Sequence, residues 1–162
     1  MEHGEFSALY RRWRAPLTLY AFSLTGEQAA AEDLVQSAFV KALLSYRGGG
    51  SIQAWLMRVL RNEFISQKRK TKYEVQEMPP EEHLGGGEDP LELLLRQEEQ
   101  RRVYEAVLAL RPAYRDVLLQ SAVVGLTDGE IARMLQTSEE NVRQLRRRAR
   151  AALRKALTEE DD

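Results

Sequence analysis

Residues 127–155 constrain the fold of this chain more than any other segment. Thr127 and Glu130 have the spacing of a capping box, in which each side chain bonds a backbone amide at the start of a helix. A short apolar stripe follows, Gln136 lies in a tight turn, and Ser138 has the character of an N-cap. We therefore predict two helices joined by a turn in this segment.

The second of these helices carries a dense cationic face. Its apolar residues, from Val142 to Leu153, turn inward at helical spacing. Arginines recur at steps of 4, 3 and 4, so they line one outer face: Arg143, Arg147, Arg150 and Arg154, flanked by Arg146 and Arg148. Two uncharged residues that could contact base edges, Asn141 and Gln144, lie in its first turns. A solvated surface is the alternative interpretation of the arginines, but the helix–turn–helix spacing favours the DNA major groove.

Composition restricts the fold class and the compartment. The chain has 162 residues, of which 43% are hydrophobic and 30% charged. No segment shows the sustained alternation of β-branched residues that strands require, so we predict an all-α fold. The absence of cysteine excludes disulfides and thiolate metal sites. The sequence has neither a run of 18 apolar residues nor a signal peptide, and we expect a cytoplasmic protein without membrane insertion.

The near-neutral net charge of −1 conceals two basic segments and an acidic one. Residues 53–72 carry a net charge of +5, residues 74–99 carry −8, and residues 139–157 carry +5. Two basic segments separated by an acidic one suggest two contacts with a polyanion.

The N-terminal part of the chain predicts a three-helix bundle. Residues 6–24 carry the first helical stripe, in which Pro16 predicts a kink or a break. The second helix has an apolar face from Leu34 to Tyr46 that includes Leu43. It leaves four polar residues outside: Glu32, Asp33, Gln36 and Lys41. A flexible glycine-rich loop at 47–51 leads to a third helix, from Ile52 to about Lys70, with Trp55 and Phe64 predicted in the core.

The remainder of the chain predicts a linker and a second helical domain. Residues 76–91 are rich in glycine, proline and acids, which is typical of a flexible linker. The second domain spans residues 92–157, its first helix beginning near Pro90. A further helix is predicted at 113–124, closed by Gly125, before the helix–turn–helix. Residues 158–162 form an acidic tail.

Three segments together resemble bacterial sigma factors of the sigma-70 family. The segments AEDLVQSAFVKAL (31–43), AWLMRVLRNEFISQKRK (54–70) and residues 110–150 look like the two conserved regions of that family, in the right order. The extracytoplasmic-function (ECF) group is the most similar. The resemblance implies that residues 1–75 are region 2, which binds core RNA polymerase and opens the −10 promoter element. It implies that residues 92–157 are region 4, which binds the −35 element, and that the polymerase β′ clamp helices and β flap are partners.

The resemblance also suggests roles for individual residues. Asp33 and Gln36 match positions that contact the β′ clamp helices, although solvent-facing residues of no special role are the alternative. The glycine-rich loop is placed where the family holds an extruded −10 base. Asn62 offers a donor and an acceptor to a base edge, and four cations can hold phosphates: Arg58, Arg61, Lys68 and Arg69. An anti-sigma protein that covers both regions is a further implied partner.

Two points stay open at the level of sequence. Leu145 precedes Arg146, whereas the family usually has a basic residue followed by an aliphatic one, so the residue that meets bases among Arg146, Arg147 and Arg148 is undetermined. A stand-alone helix–turn–helix regulator is the alternative function. An enzyme is the poorest interpretation, because the histidines, His3 and His83, lie in a terminus and a linker, and we predict no metal or cofactor.

Overall fold

The computed structural model describes residues 3–73 and 95–160, which form seven α helices and no strand. These residues fall into two compact units, one on each side of the undescribed segment. The prediction of an all-α chain with two helical domains is therefore confirmed. The linker predicted at 76–91 lies outside the described residues.

The first unit is a bundle of three helices. They are α1 (His3–Thr25), α2 (Gln28–Ser45) and α3 (Ile52–Tyr73). Its core contains Leu17, Tyr20, Leu34, Leu56, Met57 and Leu60, which are all at most 1% exposed. An aromatic cluster joins the start of α1 to α2, with the Tyr10 and Phe39 ring centroids 5.0 Å apart. Met57 was not among the core residues that the sequence indicated.

A kink or a break was predicted at Pro16, and the structure has no break, because α1 runs through the proline as one helix. A proline in a helix interior removes one backbone hydrogen bond and costs about 3 kcal/mol. Complete burial of Leu17 and Tyr20 just beyond it stabilises the continuous helix against that cost. The Thr18 hydroxyl also donates to the Arg14 carbonyl at 2.6 Å, within the turn that the proline weakens.

Two residues of α2 lie on the opposite side from the one predicted. Glu32, expected outside, is 7% exposed, and its carboxylate accepts a hydrogen bond from the Gln28 amide at 3.3 Å. Leu43, expected inside, is 40% exposed. Both lie at the edge of the apolar stripe, where small changes in packing decide burial. Trp55 and Phe64 of α3 were predicted in the core and are half-buried.

The described residues of the second unit, 95–160, form four α helices. They are α4 (Glu98–Leu108), α5 (Pro112–Leu118), α6 (Asp128–Leu135) and α7 (Glu139–Glu160). The first described helix of this unit begins at Glu98, and the start predicted near Pro90 lies outside the described residues. Residues 158–160, predicted as tail, belong to α7. The helix predicted at 113–124 is divided, because α5 passes into a π-helical turn at Leu119–Val123.

The π-helical turn ends at Val123, and Gly125 follows the helical segment as the sequence predicted. The Val124 amide donates to the Leu119 carbonyl at 3.0 Å, and the Leu126 amide to the Gln120 carbonyl at 2.9 Å. Gly125 then takes φ +79°, a conformation that glycine adopts without steric cost. This turn sets the direction in which the chain enters α6.

Candidate nucleic-acid interface

The helix–turn–helix begins with the predicted capping box. The Thr127 amide donates to Glu130 Oε1 at 2.9 Å, and the Glu130 amide donates to Thr127 Oγ1 at 3.1 Å. The turn after α6 is made by Gln136, which takes the left-handed conformation with φ +56°. Ser138 Oγ accepts from the Asn141 amide at 3.1 Å, which is the N-cap bond of α7. The sequence predicted each of these local features correctly.

Helix α7 buries one side and exposes arginines on the other. Val142 and Ala149 are fully buried, and Leu145 and Leu153 are half-buried. The exposed arginines are those predicted to form the outer face, together with Arg148: Arg143, Arg147, Arg148, Arg150 and Arg154. The exposed side of α7 therefore offers a set of cations on a rigid element, as binding to a phosphate backbone requires.

Arg146 differs from the other arginines because it points back to α6. Its guanidinium makes a forked pair with the Asp128 carboxylate, with Nη1–Oδ1 and Nη2–Oδ2 distances of 2.5 and 3.1 Å. The Arg146 side chain is only 19% exposed. The hydrogen bond from Arg146 lowers the pKa of Asp128, and the same bond raises the pKa of Arg146. Asp128 is a residue that the sequence reading missed.

The two uncharged candidates on α7 are exposed in its first turns. The side-chain amide of Asn141 donates to Thr137 Oγ1 at 2.7 Å, and this bond orients the Asn141 side chain against the turn. Gln144 is exposed one turn later and lies on the same face as Arg147, three residues further along the helix. Both positions are open to a ligand that approaches α7 from outside.

In the first unit, the candidate DNA-binding residues of α3 are exposed except for one half-buried arginine. Arg58, Asn62 and Arg69 are exposed and recur at helical spacing, so they share one face of α3. Lys68 is also exposed, and its ammonium lies 5.1 Å from the Phe64 ring centroid. Arg61 is half-buried and donates to the Tyr20 hydroxyl at 2.5 Å. The structure thus uses Arg61 to join α3 to α1.

A concave, mostly apolar surface lies beside the glycine-rich loop. It is lined by residues of α1 and of the loop: Glu5, Ala8, Leu9, Tyr46, Arg47 and Gly48. The loop is shaped by three successive glycines with φ between +80° and +114°, and the Tyr46 hydroxyl donates to the Gly50 carbonyl at 3.0 Å. The Tyr46 ring also packs edge-on against Trp55. The α1 side of this surface was not foreseen from the sequence.

An exposed apolar strip extends the polar pair on α2. Asp33 and Gln36 are exposed, as predicted. Val40 and Leu44 follow at helical spacing on the same face and are 54% and 67% exposed. The sequence carried the signal for this strip in the spacing of 33, 36, 40 and 44.

Within the described ranges, no group of three acidic or histidine side chains is placed to hold a metal ion. No helix among the same residues is long and apolar enough to cross a membrane.

Family models match both units of the chain. The model for sigma-70 region 2 matches residues 9–73, and the model for sigma-70, region 4 matches residues 100–153. RNA polymerase sigma factor YlaC of Bacillus subtilis (strain 168) is 32% identical over 165 residues, which cover 98% of this chain and 95% of that relative. ECF RNA polymerase sigma factor SigX of the same organism is 26% identical over 94% of this chain and 83% of its own length.

Solved structures agree with these sequence relatives. The chain is similar to CnrH in its complex with the cytosolic domain of CnrY, with a TM-score of 0.65, 25% identity and coverage of 99% of this chain and 92% of the other. It also shares the fold of the sigma factor RpoE of Bartonella quintana, solved with the anti-sigma factor NepR, with a TM-score of 0.66 at 24% identity over 95% and 97% of the two chains. The chain therefore belongs to the ECF group of the sigma-70 family of RNA polymerase sigma factors.

Proposed function

We propose that this protein is a dissociable specificity subunit that binds core RNA polymerase and directs initiation at promoters with −35 and −10 elements. Its domains would be region 2 at residues 1–75, a linker at 76–91, region 4 at 92–157 and a short tail at 158–162. The observation that carries the proposal is the presence of two separate basic, polar surfaces, one on α3 and one on α7, in a chain of this family.

Helix α7 is the proposed reader of the −35 element. Arg143 and Gln144 lie in its N-terminal half, which is the part of a recognition helix that meets base edges. Arg147, Arg148 and Arg150 follow further along and are suited to phosphates. Asn141 contributes an amide at the start of the helix. Arg146 is not assigned to DNA, because Asp128 already engages both ends of its guanidinium fork.

Residues of the first unit are proposed to open the −10 element. Unstacking a base pair step costs a few kcal/mol, which must be recovered when the extruded base is bound. The concave surface beside the glycine-rich loop offers an apolar floor, and the Glu5 carboxylate at its rim can accept from an exocyclic amine. Arg58, Asn62, Lys68 and Arg69 would hold the displaced strand along α3. Arg61 supports this surface through its bond to Tyr20.

Helix α2 is the proposed contact with the β′ clamp helices of the polymerase. Asp33 and Gln36 supply polar contacts, and Val40 and Leu44 supply exposed apolar area beside them. Such a mixture of a small apolar strip and flanking polar groups is typical of protein interfaces. Region 4 would contact the β flap. The protein would have no catalytic activity of its own and would act in the bacterial cytoplasm.

Regulation by an anti-sigma protein is part of the proposal. A solved relative, RpoE of Bartonella quintana, is held by the anti-sigma factor NepR. An inhibitor that covered α2 or α7 would compete directly with the polymerase or with the promoter.

The test is dependence on core polymerase. The purified protein should bind promoter duplex weakly, because the polymerase must hold the two half-sites apart. With bacterial core enzyme it should start transcription at defined sites, read by sequencing the 5′ ends of transcripts from a genomic template library. A Leu44→Asp variant provides a matched control that should lose initiation while keeping the fold. Tight, specific footprints without core enzyme would contradict the proposal and favour a stand-alone regulator.

A further inference from the structure

Asp128 occupies a position between two arginines of the recognition helix. It is the first residue of α6, where the helix dipole favours an acid. Its carboxylate pairs with Arg146 in a fork and lies 3.9 Å from Arg143 Nη1. Arg143 Nη1 is in turn 4.0 Å from the Glu139 carboxylate. Two acids, one at the start of α6 and one at the start of α7, therefore lie beside two cations of α7.

Gly129 leaves room for the Glu139 side chain next to α6. A Cβ at Gly129 would stand 2.8 Å from Glu139 Oε1, closer than real carbon–oxygen contacts allow. The absence of a side chain at Gly129 thus lets Glu139 approach α6 and Arg143 at the same time. Asp128 is 28% exposed and Arg146 is 19% exposed, so solvent screens their pair less than it screens a surface pair. Arg143, at 55% exposed, is held more weakly.

We propose that Asp128 is a specificity-determining positioning residue: it withdraws Arg146 from DNA and restrains Arg143, so that α7 binds its −35 sequence with less non-specific attraction to phosphates. This inference rests on the proposed −35 role of α7. Asp128 acts through the two arginines and touches no base itself.

The reasoning follows from the salt dependence of DNA binding. Each phosphate that a cation neutralises adds about 0.9 to the slope of log affinity against log salt, and it does so for every sequence alike. An arginine held by a carboxylate contributes little to that attraction. When the carboxylate is removed, the same arginine can reach any nearby phosphate. This raises the affinity for unrelated DNA and reduces the ratio of affinities between the correct site and unrelated DNA.

The test compares Asp128→Asn with Glu140→Gln in the full-length chain. Both variants remove one negative charge from the helix–turn–helix, but Glu140 is exposed and makes no ion pair within the described residues. Fluorescence anisotropy with a labelled duplex of unrelated sequence measures affinity across a salt series. For Asp128→Asn we expect tighter binding to this duplex and a slope steeper by about 0.9 for each arginine released. For Glu140→Gln the slope should match that of the original protein.

A second pair of variants keeps the result independent of folding. Asp128→Asn combined with Arg146→Gln should remove the part of the slope increase that comes from Arg146, because that released cation is gone. Arg146→Met alone should leave the slope for unrelated DNA unchanged. Circular dichroism of each variant shows whether the second unit is folded.

The effect of Asp128 on base preference at the −35 element is measured with holoenzyme. Transcription from a template library randomised across the −35 element should show a flatter base preference for Asp128→Asn than for the original protein. If Asp128→Asn weakens all DNA binding while folded, or leaves slope and preference the same as Glu140→Gln, the inference is wrong. If the original protein gives no initiation with core enzyme, the proposed function itself fails, which is a distinct outcome.

Discussion

Replacing Thr127 with alanine tests whether the capping box fixes the start of the helix–turn–helix. The substitution removes the Thr127 hydroxyl, which accepts a hydrogen bond from the Glu130 amide at 3.1 Å. The capping box then keeps only the bond from the Thr127 amide to Glu130 Oε1. Loss of an N-cap costs about 1 kcal/mol. Helix α6 has only eight residues, and helices this short are marginal by themselves. Few other hydrogen bonds within α6 can therefore compensate for the lost cap. For a unit of this size, 1 kcal/mol corresponds to a midpoint lower by about 4–8 °C.

The assay can separate the two units within one chain. Both tryptophans, Trp13 and Trp55, belong to the first unit, so their fluorescence reports the unfolding of that unit alone. Far-ultraviolet circular dichroism reports both units. We expect Thr127→Ala to lower the midpoint of the dichroism component that fluorescence does not follow, and to leave the fluorescence midpoint unchanged.

Thr158→Ala supplies the matched control for this experiment. The Thr158 hydroxyl donates only to the Arg154 carbonyl within α7, at 2.8 Å on an exposed surface. Alanine has the higher helix propensity, so this variant should be neutral or slightly stabilising. If Thr127→Ala unfolds at the same temperature as Thr158→Ala, the capping box does not stabilise the second unit. If the fluorescence midpoint falls equally, the assignment of the effect to that unit is refuted.

Three further outcomes are expected. Arg143→Ala should cost about 1–3 kcal/mol at one −35 position, whereas Arg147→Ala should weaken all promoters alike, and transcription from a promoter panel distinguishes the two. Leu44→Asp, at a residue 67% exposed, should reduce co-purification with core polymerase without lowering the thermal midpoint. The hydrogen bond from Arg146 lowers the pKa of Asp128, so its stabilisation is complete above the ordinary aspartate pKa of about 3.9 and is lost as pH falls through the lower folded-state value. Denaturation of Asp128→Asn across this acidic range should show a weaker pH dependence than the original protein.

Local features of the fold were accessible from the sequence because their causes are local. The capping box depends on Thr127 and Glu130, three residues apart, and the turn depends on Gln136 and the cap at Ser138. Helical stripes likewise report burial within one element. These signals were sufficient for the all-α class, the two units and the exposed arginine face of α7.

Features that depend on contacts between elements were not accessible in this way. The partner of Arg146 lies 18 residues away, and the partner of Arg61 lies 41 residues away. The spacing places each arginine next to buried residues of its own helix, but it does not identify the partner on another helix. Continuity of α1 through Pro16 also depends on tertiary burial, which outweighs the local preference.

Arg61 and Arg146 share a role that bears on why such a protein would need the polymerase. In each unit, one arginine of the basic surface is held by a partner on another helix, Tyr20 in the first unit and Asp128 in the second. Each surface therefore presents fewer free cations than its sequence suggests, and the affinity of each unit for DNA is correspondingly limited. Two weak contacts become strong when a scaffold holds both at the spacing of their sites, because the second contact is then intramolecular. Reserving these arginines for internal contacts thus favours binding at promoters on the polymerase over binding of the free protein to DNA.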